Sequence, residues 1–342
     1  MKKSIVKLFS IASVTLFLFS FSTMSSASDS LFKLKYASHS PPMHATSILS
    51  EEWCKEVEKR TDGRVKATYY PGGSLVNANQ MYDGVVKGIT EVGFGVLGYT
   101  PGRFPLSEVF ALPLGFKSAL QAARCSNAYM QKFKPKEFDE VKVMYLHSCG
   151  PGQFHCKNPI KKLDDLKGNR FKGSGYTLRV VTALGGTPTD IPIVELYDSV
   201  KRGVTDGAFL PMETLKGFKL TEVCPYTYSV SAGNDAPPFF VAMNKATWDS
   251  LPKDIQQIID DLNKEFIEKQ GKLWDAMDTE GVEVANMAEH TFVKATPEEN
   301  ERAKVQLKTI IDKYLNNMKE KGLPGDEVLK FVKDWIETGP AN

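Results

Sequence analysis

From Leu251 the chain repeats an apolar residue at helical spacing for about thirty residues. Leu251, Ile255, Ile258, Ile259, Leu262, Phe266, Leu273 and Met277 form one stripe, and Gly271 is the sole breaker before Gly281. Thirty helical residues run roughly 45 Å. A single lobe of a chain this size is shorter than that, so the spacing predicts a helix that braces two lobes. Ser250 is its expected N-cap, with Pro252 in the first turn.

Upstream, strand and helix signals alternate. Leu31–Ala37 reads as a strand, and Ala45, Ile48, Leu49, Trp53 and Val57 share a helical face that ends at Asp62-Gly63. Val65, Ala67 and Tyr69 alternate as the next strand, followed by a helix over 77–87 and a short strand over 91–95. Strands are expected again from Val141, at Arg170–Lys172 and at Asp206–Leu210, with helices over 177–184 and 194–202 between them. Pro297 opens an amphipathic helix through Tyr314, and a last short helix ends near Gly339. This alternation predicts α/β architecture with mostly parallel sheets covered on both faces.

The N-terminus has the layout of a secretory leader. Lys2 and Lys3 follow Met1, Leu8–Phe21 is apolar, and Ser25 and Ala27 fit a small-x-small cleavage site, which places the cut after Ala27. A membrane anchor is the weaker reading, because the apolar run is short for a span and is interrupted by Ser10, Ser13, Thr15 and Ser20. The chain is therefore expected to be exported and soluble. The leader's three lysines account for the positive balance of +2, since without them 40 basic residues face 41 acidic ones. That balance gives no basic face for nucleic acid. Five cysteines (Cys54, Cys125, Cys149, Cys156, Cys224) form no CxxC pair. Export permits a Cys149–Cys156 disulfide, while buried free thiols fit equally well.

Local motifs for catalysis are missing. Gly93–Gly98 reads GFGVLG, but Pro101 and Pro105 stand where a dinucleotide site needs a helix, so a glycine-rich strand edge is the better reading. The five histidines, His39, His44, His147, His155 and His290, lack metal-ligand spacing, and no metal or cofactor is expected. Ser174 lies between two glycines with no His or Asp placed beside it by sequence. Triads do assemble across a fold, so an exported hydrolase on a two-lobe frame stays as the competing class.

The segments WCKEVEKRTDGRVKATYYPGGSL from Trp53, MYDGVVKGITEVGFG from Met81, LPLGF from Leu112 and IKKLDDLKGNRFKGSG from Ile160 resemble the DctP-type family. So do ALGGTPTDIPIVELYDSVKRGVTDGA from Ala183 and FFVAMNKATWDSLP from Phe239. These are the extracytoplasmic solute-binding subunits of TRAP transporters. The resemblance runs in one order from about Leu31 to beyond Pro252. It implies a bilobed, periplasmic-binding-protein-like fold with a long helix spanning both lobes. It also implies capture of a small organic acid and handover to the TRAP membrane permease subunits, as monomer or dimer. With the leader over 1–27, one lobe is expected from 28–148 plus 236–275 and the other from 149–235 plus 276–342.

The family's carboxylate-gripping arginine follows the DLKG turn, and the alignment puts Lys172 there. Arg170, two residues earlier on the same strand face, is the alternative. A lysine keeps the charge and loses the planar fork. Ala208, Phe209, Leu210 and Pro211 stand where relatives often carry a Glu or Asn that meets ligand or metal. With Ile193 these suggest an apolar wall, or else ordinary core. Glu213 is a polar candidate beyond Pro211. In the other lobe the candidates are His44 after the first strand, and Phe94 and Tyr99 around the glycine-rich strand. Gln153, Phe154 and His155 are candidates in the loop after the strand from Val141. The favoured ligand is a monocarboxylate with an apolar or aromatic body, with a four-carbon dicarboxylate as the family's alternative. A third reading is a sensor that presents its ligand to a receptor kinase.

Overall fold

The computed structural model describes residues 31–175 and 177–339. The leader and its cleavage site after Ala27 lie outside the described residues. Among the described residues eleven strands form two sheets: β1 Phe32–Ser38, β2 Val65–Tyr70, β3 Val92–Val96, β4 Val141–Ser148, β5 Gln153–Cys156, β6 Arg170–Lys172, β7 Thr187–Thr189, β8 Gly207–Leu210, β9 Tyr226–Ser229, β10 Pro238–Asn244 and β11 Thr291–Lys294. The first sheet has the order β2-β1-β3-β10-β4 and the second β11-β9-β5-β8-β6-β7.

Each sheet is parallel but for one strand. β10 runs antiparallel to β3 and β4, and β5 runs antiparallel to β8 and β9. Both reversed strands arrive from the other sheet by a short crossing, whereas β11 arrives through the long helix and runs parallel to β9. The chain leaves β4 of the first sheet and enters the second as β5 after a short crossing, then returns from β9 into β10. Such short crossings leave no room for the helix that a parallel connection needs. Residues Gln153–His155 are therefore in strand β5, a correction to the loop expected there. β3 and β10 are buried along their whole length, as expected of strands covered on both faces. Gly93 and Gly95 lie on β3 in the centre of its sheet, not at an edge. A Cβ at Gly93 would collide with Val85 Cγ2, and one at Gly95 would sit 2.6 Å from the Phe240 ring. These glycines admit the side chains of Val85 and Phe240.

The long helix extends from Lys253 to Met287, 35 residues, or about 52 Å at roughly 1.5 Å per residue. Ser250 does not cap it. A separate helix, Lys245–Ser250, ends there with Ser250 Oγ donating to Thr247 O, and Pro252 starts the long helix without a side-chain cap. Proline at 252 removes the N–H that would have continued the first helix. Ile255, Ile259, Leu262 and Phe266 pack into the first sheet's core beside Trp53 and Val57, and Trp53 Nε1 donates to Asn263 Oδ1 at 3.1 Å. Further along, Asp275 accepts from the N–H groups of Ala119 and Leu120, which open the helix Ala119–Phe133. Asp278 Oδ1 then accepts from Glu213 N at 2.9 Å, just beyond β8 of the second sheet. One helix thus holds both sheets, as its length predicts.

All five cysteines are free and buried. The second sheet's core also takes in Cys125 and Tyr129 of Ala119–Phe133 and the helices Pro297–Glu320 and Gly325–Thr338.

Gly281 lets the segment after β8 lie directly on the long helix, because a Cβ there would collide with Met212 O. Glycine to alanine in an open helix stabilises by about 1 kcal/mol. Here the methyl meets backbone, so Gly281→Ala is expected to destabilise by about 1–3 kcal/mol. Thermal or urea denaturation reads this, and a rise in stability would contradict the packing.

Candidate functional site

The strands of α/β sheets end in loops that converge on ligands, and here the two sets of loops face one cleft. Its walls come from the ends of β1 (His39, Ser40) and β3 (Val96, Tyr99), from β6 and the turn after it (Lys172, Ser174, Thr177), and from β8 and its continuation (Phe209, Leu210, Pro211, Glu213, Thr214). The crossing segments add Cys149, Gly152, Asp235 and Pro237, Ile193 and Phe239 close the sides, and the long helix contributes Trp274. The free space is about 660 Å³, counted out to the open mouth.

Lys172 is 1% exposed. Its Nζ donates to Gly173 O at 2.7 Å and lies 5.9 Å from the Tyr99 ring centroid. Among the described residues no carboxylate forms an ion pair with it. Burial lowers its pKa to about 8, and Asp190 offsets part of that lowering. Arg170, the alternative cation, is engaged elsewhere. It grips Asp206 with Nε at 2.9 Å and Nη2 at 3.0 Å, and Nη2 also donates to Gly203 O.

Behind the cleft stands an aromatic stack. His39 lies parallel to Phe94 at 5.4 Å, Phe94 to His147 at 5.1 Å, and His147 to Phe239 at 5.1 Å, with Trp274 5.3 Å from Phe239. Trp274 Nε1 donates to His147 Nδ1 at 3.1 Å. These imidazoles are held neutral, burial lowering the pKa of His39 to about 4 and of His147 to about 3.

The cleft brings together six sequence candidates: Lys172, Tyr99, Ile193, Phe209, Leu210 and Glu213. The others lie off it. Phe94 is one layer back in the stack. Phe154 is in the second sheet's core against Phe171 and Phe209, because strand alternation turns it inward. Gln153 is buried in β5 with Nε2 3.5 Å from Pro151 O. His155, also on β5, is buried between Thr227 Oγ1 and Pro211 O. His44 caps the helix Ala45–Arg60, its Nδ1 accepting from Thr46 N at 3.3 Å. That leaves Nε2–H to donate to Glu213 Oε2 at 3.3 Å, with both side chains buried. It acts on the cleft through Glu213.

Residues 36–317 match the family of bacterial extracellular solute-binding proteins, family 7, DctP. The chain is a TRAP extracytoplasmic solute-binding protein. A crystal structure of a TRAP periplasmic solute-binding protein from Desulfovibrio salexigens, an open complex with the C-terminus of a symmetry mate in its ligand site, is 32% identical. It covers 91% of this chain and 98% of its own, with a TM-score of 0.80. A TRAP solute-binding protein from Rhodoferax ferrireducens, in complex with copurified benzoate, is 29% identical over 90% and 98% of the two chains, with a TM-score of 0.84. The 2,3-diketo-L-gulonate-binding periplasmic protein of Escherichia coli K12 is 24% identical over 81% of this chain and 91% of its own length. TRAP proteins of this family work with membrane permeases on small organic acids. Among the described residues no helix is long and apolar enough to cross a membrane, and no three His, Cys, Asp or Glu side chains are grouped to hold a metal.

Sequence reasoning passes over His39, Asp235, Phe239 and Trp274. Trp274 sits just beside the long helix's apolar stripe, and Phe239 lies on β10, which is buried along its whole length. His39 directly follows a strand, which is the usable signal. Asp235 has none.

Burial of neutral histidines has a pH consequence. His155 and His290 are also lowered to about 4. Each histidine contributes fully above its unfolded pKa of roughly 6.5 and loses that contribution as pH falls through the folded value. Asp235 and Asp278, raised to about 7 by burial, act in the opposite direction over the same window. Burial raises Glu137 and Asp275 as well, so four carboxylates oppose the histidines. The four histidines are expected to prevail, so that unfolding free energy falls between about pH 6.5 and 4. Urea midpoints at pH 7, 5.5 and 4 measure it. A flat profile would contradict the buried neutral imidazoles.

Proposed function

We propose that this protein captures a monocarboxylate with an apolar or aromatic body, its carboxylate on Lys172, and delivers it to the TRAP permease. The observation that carries this reading is the Lys172 ammonium, buried in the cleft with no carboxylate partner among the described residues. It is the one lysine or arginine among the described residues lining the cleft. Tyr99, Phe209, Phe239 and Trp274 supply area for a flat apolar body, and a ligand buried among them meets its charge partner in low dielectric. The benzoate complex of the Rhodoferax relative supports an aromatic acid. A four-carbon dicarboxylate fits less well, since its second carboxylate meets Glu213 and Asp235 instead of a cation. Catalysis is not part of this reading. Ser174, the sequence's one nucleophile-like residue, has its backbone N–H on Thr177 Oγ1, within a turn.

We further read the protein as exported, cut after Ala27 and periplasmic. The lobes would be 28–148 plus 236–275 and 149–235 plus 276–342, a division supported by the membership of the two sheets.

Calorimetry with benzoate tests the Lys172 assignment. Removing one partner of a buried pair costs about 3–5 kcal/mol, so Lys172→Met is expected to weaken binding by roughly two to three and a half decades. Lys172→Arg is expected to alter the order of preference among acids, because a fork replaces a point charge. Unchanged affinity in a folded Lys172→Met protein would sink the assignment. Solution scattering gives a second test, in which saturating benzoate is expected to reduce the radius of gyration as the lobes close. Identical curves would count against capture by closure.

A further inference from the structure

Asp235 lies in the segment that returns from β9 to β10, and Gly152 in the segment that leaves β4 for β5. Gly152 N donates to Asp235 Oδ1 at 3.0 Å, which ties the two crossings together. That tie uses one oxygen. The other, Oδ2, is buried without a hydrogen-bond partner among the described residues, in a side chain that is 0% exposed and lines the cleft. A buried polar atom without a partner costs stability unless something arrives to meet it. Because Asp235 lines the cleft, a group carried by the ligand is placed to supply that partner.

We propose that Asp235 is a second recognition point of the cleft, selecting an acid that carries a hydroxyl group besides its carboxylate. The inference rests on the reading that the carboxylate sits on Lys172. Three ligand groups could meet Oδ2. An ammonium suits only the ionised form of Asp235, and a second carboxylate only the protonated form. A hydroxyl both donates and accepts, so it suits either. Burial holds the Asp235 carboxyl near neutrality, at about 7, where both forms are populated. A hydroxyl is therefore the group that binds throughout the neutral range. A site built to bond a hydroxyl also rejects the analogue that lacks it, because its own polar atom is then left unpaired.

The test is a calorimetric panel on the purified protein: benzoate with its 2-, 3- and 4-hydroxy derivatives, phenylacetate with mandelate, and the methyl ether of each hydroxy acid. At least one hydroxy acid is expected to bind about tenfold or more tighter than its parent, with its methyl ether losing that gain. Asp235→Leu is expected to erase the preference, so that each hydroxy acid binds no tighter than its parent. The inference is overturned if no hydroxy acid beats its parent, or if the preference survives in Asp235→Leu. It is also overturned if an (aminomethyl)benzoate, which offers an ammonium, binds tighter than every hydroxy acid. If the parent acids bind and the hydroxyl adds nothing, this inference alone falls. If neither parents nor hydroxy acids bind, the Lys172 reading falls with it. Where Asp235→Leu does not fold, a crystal structure with the preferred hydroxy acid decides. The hydroxyl oxygen is expected within hydrogen-bond distance of Asp235 Oδ2, and a hydroxyl placed elsewhere overturns the proposal.

Discussion

An ammonium removed from water without an ion-pair partner costs several kcal/mol, and the protein carries that cost at Lys172. Much of the surrounding architecture keeps the cation where it is. β6 ends at Lys172, between β7 and β8, and Arg170 two residues earlier anchors the strand through its fork on Asp206. The side chain is thus presented at the strand's C-terminal end, where Gly173 O meets it. A lysine tolerates this position better than an arginine would, because an ammonium can shed its proton when desolvated and a guanidinium cannot. The drop of its pKa to about 8 expresses that cost, and in the proposed function an arriving carboxylate offsets it.

The remainder of the cleft is backed by packed aromatic rings. The stack from His39 through Phe94, His147 and Phe239 to Trp274 links the first sheet to the long helix through neutral rings. The same helix reaches the second sheet's side at Asp278 and Gly281, both against residues 212–213. Glu213 is thereby held from two directions, its backbone N–H by Asp278 and its carboxylate by His44. The two crossing segments meet at the Gly152–Asp235 bond. Polar atoms at the cleft thus come from both sheets and from both crossings.

The frame is largely legible in the sequence. The apolar stripe from Leu251 marks the long helix, and strand–helix alternation marks the parallel strands, because both depend on local periodicity. Ser250 misleads because Pro252 interrupts the helical run, which separates Lys245–Ser250 from the long helix. β5 reads as a loop because four buried residues directly after a crossing carry no period. Phe154 and Phe94 read as lining and are backing, since a sequence does not say which face of a short strand meets the cleft. Asp235 is invisible for a different reason. Its role depends on an oxygen left over after a contact between segments 83 residues apart.

Pairing of a ligand carboxylate with the Lys172 ammonium is tested most directly by proton uptake on binding. Calorimetric titrations of benzoate at pH 8.5, run in buffers of different ionisation enthalpy, count protons taken up per ligand. Free Lys172, at about 8, is then mostly deprotonated, while the paired lysine is protonated. Uptake of about half a proton or more per ligand is expected, vanishing in Lys172→Arg, where the cation keeps its charge throughout. Benzoate binding with no proton uptake at pH 8.5, or with uptake unchanged in Lys172→Arg, would contradict the pairing.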